Sequence, residues 1–391
     1  MKKRILLLSA YDASSHRQWR YRLAELFPEF DWTQLALPPR NFSWRIRGNS
    51  LHWAFSHAEV LQQQYDLLIA TSMVDLSSLR GFIPALSQIP NLVYFHENQF
   101  VYPPRPSSPS ETADSLRSKF KEQINVEPQL VPLYTALCAD SLIFNSHYNR
   151  NTFLQGSRSL LQKLPDQFPD SLMQRLENSR VIPVPLPARD RFTLQPASSE
   201  PDAASTLKII WNHRWEYDKG PQLLLELVKL ISQQRLPFQI NIAGEQFRQQ
   251  PPQFAEIKRI LDTHTVDAEA AQFGYIEEQD QYFELLSRCD VVLSTALHDF
   301  QGLALQEACI AGCTPLAPND LVYPEYLDPQ FLYSVQGSEC ENAQCILAKL
   351  QQWHRLKLAG AQIPKIGLDD YATEPTRSKY SALFSSALGT D

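Results

Sequence analysis

Two short stretches carry residues whose types and order can do chemistry on a phosphorylated substrate. The first, His213-Arg214-Trp215-Glu216-Tyr217-Asp218-Lys219-Gly220-Pro221, follows an apolar run and precedes a helical one. It sets two cations, Arg214 and Lys219, where a strand ends and a helix begins. Such a pair suits a diphosphate, whose departure as a leaving group needs stabilised negative charge. The second stretch runs from Cys289 to Glu325, with a strand from Val291 to Thr295, an acidic loop holding His298 and Asp299, and a helix entered at Gly302 that carries Glu307 one turn in. The first amides of a helix have no intrahelical acceptor, so the Gly302 and Leu303 N–H groups are expected to take a phosphate. Glu307 can accept both hydroxyls of a ribose, and Asp299, just before Gln301, can hold sugar hydroxyls.

Other chemistries compete for the same residues. Asp299 and Glu307 can be read as the carboxylate pair of a hydrolase, and Glu216 and Asp218 can turn Arg214 and Lys219 into ordinary surface ion pairs. Cations and a helix N-terminus converging on one loop favour an anionic donor. The chain contains no Asp-x-Asp, so no metal is expected and neutralisation of a diphosphate falls to the protein. Glu245, beyond a strand from Gln239 to Ala243, completes the expected donor-side set of Arg214, Lys219, Glu245, Asp299, Gln301, Gly302, Leu303 and Glu307. These residues leave open an epimerase or hydrolase of nucleotide sugars, and a nucleotide- or RNA-binding protein without turnover.

In the first half, polar residues again follow apolar runs. Leu92 to Phe95 leads into His96-Glu97-Asn98-Gln99, the first strand leads into a loop ending at His16, and Leu142 to Asn145 leads into His147. His96 is the strongest candidate for a ligand-facing histidine, and His16 is as easily a helix cap. No glycine precedes Gly48, which removes a GxGxxG dinucleotide loop and disfavours nicotinamide or flavin. Pro38 to Arg47 interleaves Arg40, Arg45 and Arg47 with Phe42 and Trp44, a pattern that can hold a nucleic-acid backbone and stack on bases, or form a loop with its aromatics packed inward. His16, Glu97, Asn98, Arg40, Trp44, Arg45 and Arg47 are the expected acceptor-side residues. Pro103 to Asp114 reads as a mobile loop able to close over substrate.

The elements that must position these groups are parallel strands alternating with helices. Runs at Ile5 to Ser9, Leu67 to Thr71, Leu92 to Phe95 and Leu142 to Asn145 are separated by helical stretches at Ser15 to Phe27 and Pro128 to Ala139. A second series has strands at Lys208 to Asn212, Gln239 to Ala243, Gln272 to Phe273, Val291 to Ser294 and Thr314 to Ala317, with helices at Pro221 to Gln233 and Gln279 to Arg288. Continuous apolar strands fit sheets covered on both faces, so the fold class is α/β with two doubly wound domains. The expected domains are 1–190, a Pro/Ser/Ala-rich linker at 191–206, 207–365, and a final helix over 366–391 packing across the junction. A chain of 391 residues exceeds what one core usually serves.

Composition sets the surroundings. Six cysteines without a CxxC pair indicate neither disulfides nor zinc, and no run approaches the roughly 20 apolar residues of a membrane span. The five-residue apolar run after Met1-Lys2-Lys3 reads as a first strand rather than a signal peptide. A cytoplasmic protein without a membrane partner is expected, and the oligomeric state is left open. Net charge is −7, but residues 1–110 hold 11 Lys+Arg against 8 Asp+Glu, leaving 25 against 35 elsewhere. RNA contact would therefore need a local patch, with Arg17, Arg20, Arg22 and Arg40 to Arg47 the places for it.

HDFQGLALQEA resembles the acid-x7-Glu motif of retaining nucleotide-sugar glycosyltransferases with the GT-B fold, and NHRWEYDKGP resembles their Arg/Lys diphosphate loop. YFHENQFVYP, SLIFNSHYNR, IIWNHRWEYDKGP, CDVVLSTALHDFQG and DLVYPE, with SHRQW near the start, are similar to the tRNA-queuosine α-mannosyltransferase family across most of residues 5–385. The resemblance implies two Rossmann-like domains facing a central cleft. It also implies transfer of mannose from GDP-mannose, with retained configuration, to a cyclopentene hydroxyl of queuosine in a tRNA anticodon of the tRNA-Asp type. A nucleotide-sugar donor and a queuosine-containing tRNA would be the partners, with no cofactor beyond the donor. Arg214 and Lys219 would bind the diphosphate, Glu307 the ribose and Asp299 the sugar, with His96 approaching the sugar from the N-terminal domain. His96, Arg214, Lys219 and Asp299 form the expected catalytic set. Two departures stand out: Asp12-Ala13 precedes Ser14-Ser15-His16 where members carry Gly-Gly, and Asp299 stands where Glu is common.

Overall fold

In the computed structural model, which describes residues 2–102, 126–188, 206–264 and 271–389, the run Ile5 to Leu8 is fully buried in β1 (Arg4–Ser9). Side chains on both faces of a central parallel strand meet helices, which is why the run is continuous rather than alternating. β1 pairs in parallel with β2 (Asp31–Ala36) and β3 (Leu67–Thr71), and the sheet continues through β4 (Asn91–Phe95), β5 (Ser141–Phe144) and β6 (Ser179–Val181), in the order β2-β1-β3-β4-β5-β6. Four of these six strands coincide within a residue or two with the runs named above. β2 and β6 escape the pattern because they are edge strands, only partly buried and polar in sequence.

The second sheet comprises β7 (Leu207–Trp211), β8 (Phe238–Ala243), β9 (Phe273–Gly274), β10 (Val291–Leu293), β11 (Thr314–Pro318) and β12 (Leu332–Tyr333), all parallel, in the order β12-β11-β10-β7-β8-β9. The chain builds outward from β7 to β9, then returns to β7's other side with β10. Connections therefore leave β7 and β10 in opposite directions, and a crevice opens beyond their carboxyl ends. Ile209 lies opposite Val291 in that pair, so the loops after Trp211 and Leu293 start side by side. These are the two stretches that carry Arg214, Lys219 and Asp299.

The chain divides into two units, one formed by residues 2–102, 126–185 and 370–389 and the other by the described residues of 186–369. The expected linker falls almost entirely outside the described residues, as does the loop from Pro103 to Asp114. The final helix, Thr373–Leu388, belongs to the N-terminal unit. Its Phe384 packs edge-on against Phe27, and its Tyr380 hydroxyl accepts from Trp19 Nε1 at 2.9 Å. Among the described residues no helix is long and apolar enough to cross a membrane.

Phe384 is 2% exposed at the centre of this contact. Phe384→Ala is expected to destabilise the N-terminal unit by about 3–5 kcal/mol, the usual cost of an emptied buried aromatic site. Urea unfolding followed by N-terminal tryptophan fluorescence measures it, and an unchanged midpoint would place this helix elsewhere.

Candidate active site

The loop after β7 is built around a buried ammonium. Residues Tyr217–Lys219 make one 3-10 turn, Gly220 follows at φ 63°, and Pro221 opens the next helix, Pro221–Gln233. A left-handed conformation is cheap only for glycine, and a Cβ on Gly220 would lie 2.0 Å from the Thr295 carbonyl oxygen. The absent side chain lets the two loops touch. Thr295 Oγ1 donates to the Lys219 carbonyl at 2.7 Å, and Leu297 N–H donates to that of Asp218 at 2.8 Å.

Lys219 is thereby pressed into the crevice. Its Nζ donates to the His298 carbonyl at 2.6 Å and lies 3.3 Å from Asp218 Oδ2 and 3.9 Å from Asp299 Oδ2. Arg214, about a third exposed, reaches Glu216 Oε2 at 2.9 Å and Asp218 Oδ2 at 3.9 Å. Burial raises the Asp218 and Asp299 carboxyls, but Lys219 together with Arg214 and His298 at Asp218, and with His213, Tyr323 and the Gly302 amide at Asp299, outweighs it, and both sit below the ordinary 3.8. Glu216 moves the other way, raised by burial against the pull of Arg214. His213 and His298 are both lowered to about 4, by burial first and by Lys219 second. Near neutral pH they are uncharged imidazoles, so Arg214 and Lys219 are the loop's cations.

Asp299 precedes the helix Leu303–Ile310, with Gly302 at φ 75° as its cap. Gly302 N–H donates to Asp299 Oδ1 at 3.0 Å. Asp299, three residues before that cap, thus gives the amide an acceptor. Leu303 begins the helix, Gln301 is buried with its Nε2 donating to Gln306 Oε1 at 3.1 Å, and Glu307 is 5% exposed on the next turn. Near Glu307 lies Tyr282, whose hydroxyl accepts from Asn212 Nδ2 at 2.9 Å. Glu245 is exposed, and its carbonyl accepts from Trp215 N–H at 2.9 Å, tying the loop after β8 to the Arg214 loop. Beside it a cavity of about 610 Å³ is lined by Glu245, Gln246, Phe273, Gly274, Tyr275 and Glu277.

The N-terminal unit gathers its own candidates at the carboxyl end of β4. His16, on the helix Ser14–Leu26, stacks on His96 with ring centroids 4.0 Å apart, and Trp19 and Tyr94 meet His96 edge-on at 4.8 and 4.7 Å. His96 is 5% exposed, neither ring nitrogen has a partner among the described residues, and burial together with the neighbouring His16 lowers its pKa well below 6.5. Its neighbours Glu97 and Asn98 part company. Asn98 is 1% exposed, donating to Asn149 Oδ1 at 2.9 Å and accepting from Phe100 N–H at 3.0 Å, so it braces the loop. Glu97 contributes its carbonyl to Ser72 Oγ at 3.3 Å.

The Arg/aromatic segment is a helix rather than a loop, running from Phe42 to Ser56 after a left-handed Asn41. Pro38 and Pro39 hide its start, since they end any helical pattern before it. Trp44 is 55% exposed with its ring over Gly48, Arg40 is exposed, and Arg45 is half-buried. Arg47 pairs with Asp75 at 3.2 Å and with Glu127. Arg20 grips Asp12 through Nε and Nη2 at 3.0 and 2.9 Å, so Asp12 ties its own loop to the first helix.

Residues 4–186 match the family model "tRNA-queuosine alpha-mannosyltransferase N-terminal", and residues 199–354 match "Glycosyl transferases group 1". A tRNA-queuosine alpha-mannosyltransferase of Drosophila melanogaster is 31% identical over 343 residues, covering 86% of this chain and 85% of the relative. The chain belongs to the tRNA-queuosine alpha-mannosyltransferase family. It is a glycosyltransferase. Solved structures share the fold at lower identity. HepE of Anabaena in complex with UDP and glucose superposes with TM-score 0.58 at 15% identity over 98% of this chain and 100% of its own. The E. coli trehalose-6-phosphate structure bound with UDP-2-fluoro glucose gives 0.61 at 12% identity, covering 99% of each. These likenesses show the fold alone, and the fold class of this family member is GT-B.

The depressed Asp218 has a consequence for this glycosyltransferase's acid stability. A carboxylate whose folded pKa lies below its unfolded one contributes stability above the unfolded value, near 3.9, and loses it as pH falls through the folded one. Asp218→Asn leaves Lys219 short of a buried counter-charge and is expected to cost about 3–5 kcal/mol at pH 7, with a shallower loss of stability below pH ~4 than wild type. Urea titrations across that range check both, and parallel curves would show that Asp218 is not the depressed group.

Proposed function

We propose that the protein transfers mannose from GDP-mannose, with retained configuration, to a cyclopentene hydroxyl of queuosine in the anticodon of a tRNA. Family membership supports the acceptor class, and the single observation that best supports the donor class is the buried Lys219 with Arg214 beside it at the β7–β10 crevice. Two fixed cations stabilise a departing nucleoside diphosphate, and with no Asp-x-Asp in the chain we assign that task to them rather than to a metal. Glu307 takes the ribose hydroxyls, Asp299 the sugar, and Leu303 N–H a phosphate oxygen. The base goes to the cavity beside Glu245 and Glu277. Carboxylates there suit guanine, whose N1–H and N2–H2 both donate to one carboxylate, whereas uracil offers a single N–H between two carbonyls.

In the reaction the sugar C1–O bond to the diphosphate breaks and the acceptor hydroxyl bonds to C1 on the same face. Its proton passes to the leaving phosphate oxygen. His96 is the N-terminal unit's candidate for touching substrate, with His16, Glu97 and the exposed Arg40 and Trp44 on the acceptor side. A cytoplasmic site of action follows from a tRNA acceptor.

Incubation with GDP-mannose or UDP-glucose and queuosine-containing tRNA, followed by mass spectrometry of nucleosides, tests acceptor and donor together. A hexose on queuosine from GDP-mannose alone is expected, and no adduct with either donor would overturn the proposal. Arg214→Ala and Lys219→Ala are each expected to lower transfer by about 100-fold or more, the scale of removing one stabiliser of a developing anion.

A further inference from the structure

Asp299 ends a buried chain of hydrogen bonds whose direction is fixed by chemistry. Tyr323 OH donates to Asp299 Oδ2 at 3.0 Å, Ser294 Oγ lies 2.7 Å from Tyr323 OH, and His213 Nε2 lies 3.0 Å from Ser294 Oγ. All three side chains are buried, Tyr323 and Ser294 completely. An ionised carboxylate only accepts, so the single phenol proton of Tyr323 goes to Asp299. Ser294 must then donate its own proton to Tyr323. Its oxygen already accepts from Ala296 N–H at 3.3 Å, and with no second proton to give it also accepts from His213, which fixes the imidazole as the Nε2–H tautomer. Every donor in the chain points towards Asp299.

The result is a carboxylate held at both oxygens, by Gly302 N–H on Oδ1 and Tyr323 OH on Oδ2. Two anchors stop rotation about the side-chain torsions and leave lone pairs on each oxygen for a ligand hydroxyl. The three contributors come from three places in the chain: the end of β7, the end of β10, and the 3-10 turn Tyr323–Glu325 after β11. Among the described residues, Lys219 lies 3.9 Å from Asp299, His298 interacts with it, and Asp218 and Arg214 act on its neighbours His213 and His298.

We propose that Tyr323, oriented by Ser294 and His213, is the positioning residue that holds Asp299 in place and charged for the donor's sugar. This rests on the reading of Asp299 as the sugar-holding carboxylate. Losing a donor to the charged form raises a carboxylate's pKa, so removal of the phenol moves any acid limb governed by Asp299 to higher pH.

Binding of GDP and of GDP-mannose, and transfer kcat and KM, are measured from pH 4 to 8 for wild type, Tyr323→Phe and Ser294→Ala. For Tyr323→Phe, GDP affinity should stay within about twofold of wild type, while the extra affinity contributed by the sugar is lost. Its kcat should fall about 10–100-fold, as for a displaced reacting group, and the acid limb of GDP-mannose binding should rise in pH. Ser294→Ala should move the same quantities in the same direction by less. Wild-type kcat and an unshifted acid limb in Tyr323→Phe would overturn the relay. Should that variant lose GDP binding through misfolding, an unshifted acid limb in Ser294→Ala overturns it instead. Absence of wild-type transfer would count against the proposed function alone, because the binding limb reads the relay without an acceptor.

Discussion

A lysine ammonium kept almost wholly out of water is the constraint around which the C-terminal unit is arranged. Desolvating such a charge is tolerable only with opposite charge and hydrogen-bond acceptors in contact, and Lys219 finds Asp218, Asp299 and the His298 carbonyl. Those partners come from two loops that must touch, which requires Gly220 against the Thr295 carbonyl and the short bonds from Thr295 and Leu297. The loops can touch because β7 and β10 are neighbours whose chains depart in opposite directions. Burial first and this ammonium second keep His213 and His298 neutral, and the ionised Asp299 gives the hydrogen-bond chain that ends on it a single direction.

Much of this architecture was legible because long apolar runs in central parallel strands have few alternative readings. The runs at Ile5 to Ser9, Leu67 to Thr71 and Val291 to Ser294 fall in or within a residue of β1, β3 and β10. What escaped was short or amphipathic: β12 with two residues, the half-buried β2, and the helix beginning at Phe42 behind two prolines. At the site, residue type and strand-end position singled out Arg214, Lys219, Asp299 and Glu307 as candidates, three of which meet around Lys219. Sequence could not reveal which of two cations is buried, or that the Gly302 amide serves Asp299. The first depends on contacts between positions 76 to 79 residues apart, and the second on the shape of a local turn. Tyr323 carried a weak signal, a tyrosine before Pro-Glu, without indicating its partner.

The N-terminal unit follows a different logic at its strand ends. His16 and His96 are stacked among Trp19 and Tyr94. Burial then holds His96 neutral, and its partnerless ring nitrogens are polar groups whose desolvation a ligand hydroxyl would offset. Asn98, in the same loop, has its amide fully engaged and keeps the loop in shape. Two polar residues of one strand end, two positions apart, thus divide into a brace and a candidate for touching substrate, a distinction that only hydrogen-bond accounting makes.

The balance of charge around Arg214 bears on how a diphosphate enters. Arg214 and Lys219 face three carboxyls, Glu216, Asp218 and Asp299, so the loop has no surplus of positive charge while all three are ionised. Asp218 and Asp299 are held charged by Lys219, and releasing either would strand a buried ammonium. Glu216 is the exception. Burial raises its carboxyl, and its partner Arg214 is exposed enough to swing. On the donor reading proposed above, an anionic donor would displace Glu216 from Arg214 more cheaply than it would displace any partner of Lys219. Arg214 would then be the cation that moves to the phosphate, and Lys219 the one that waits for it.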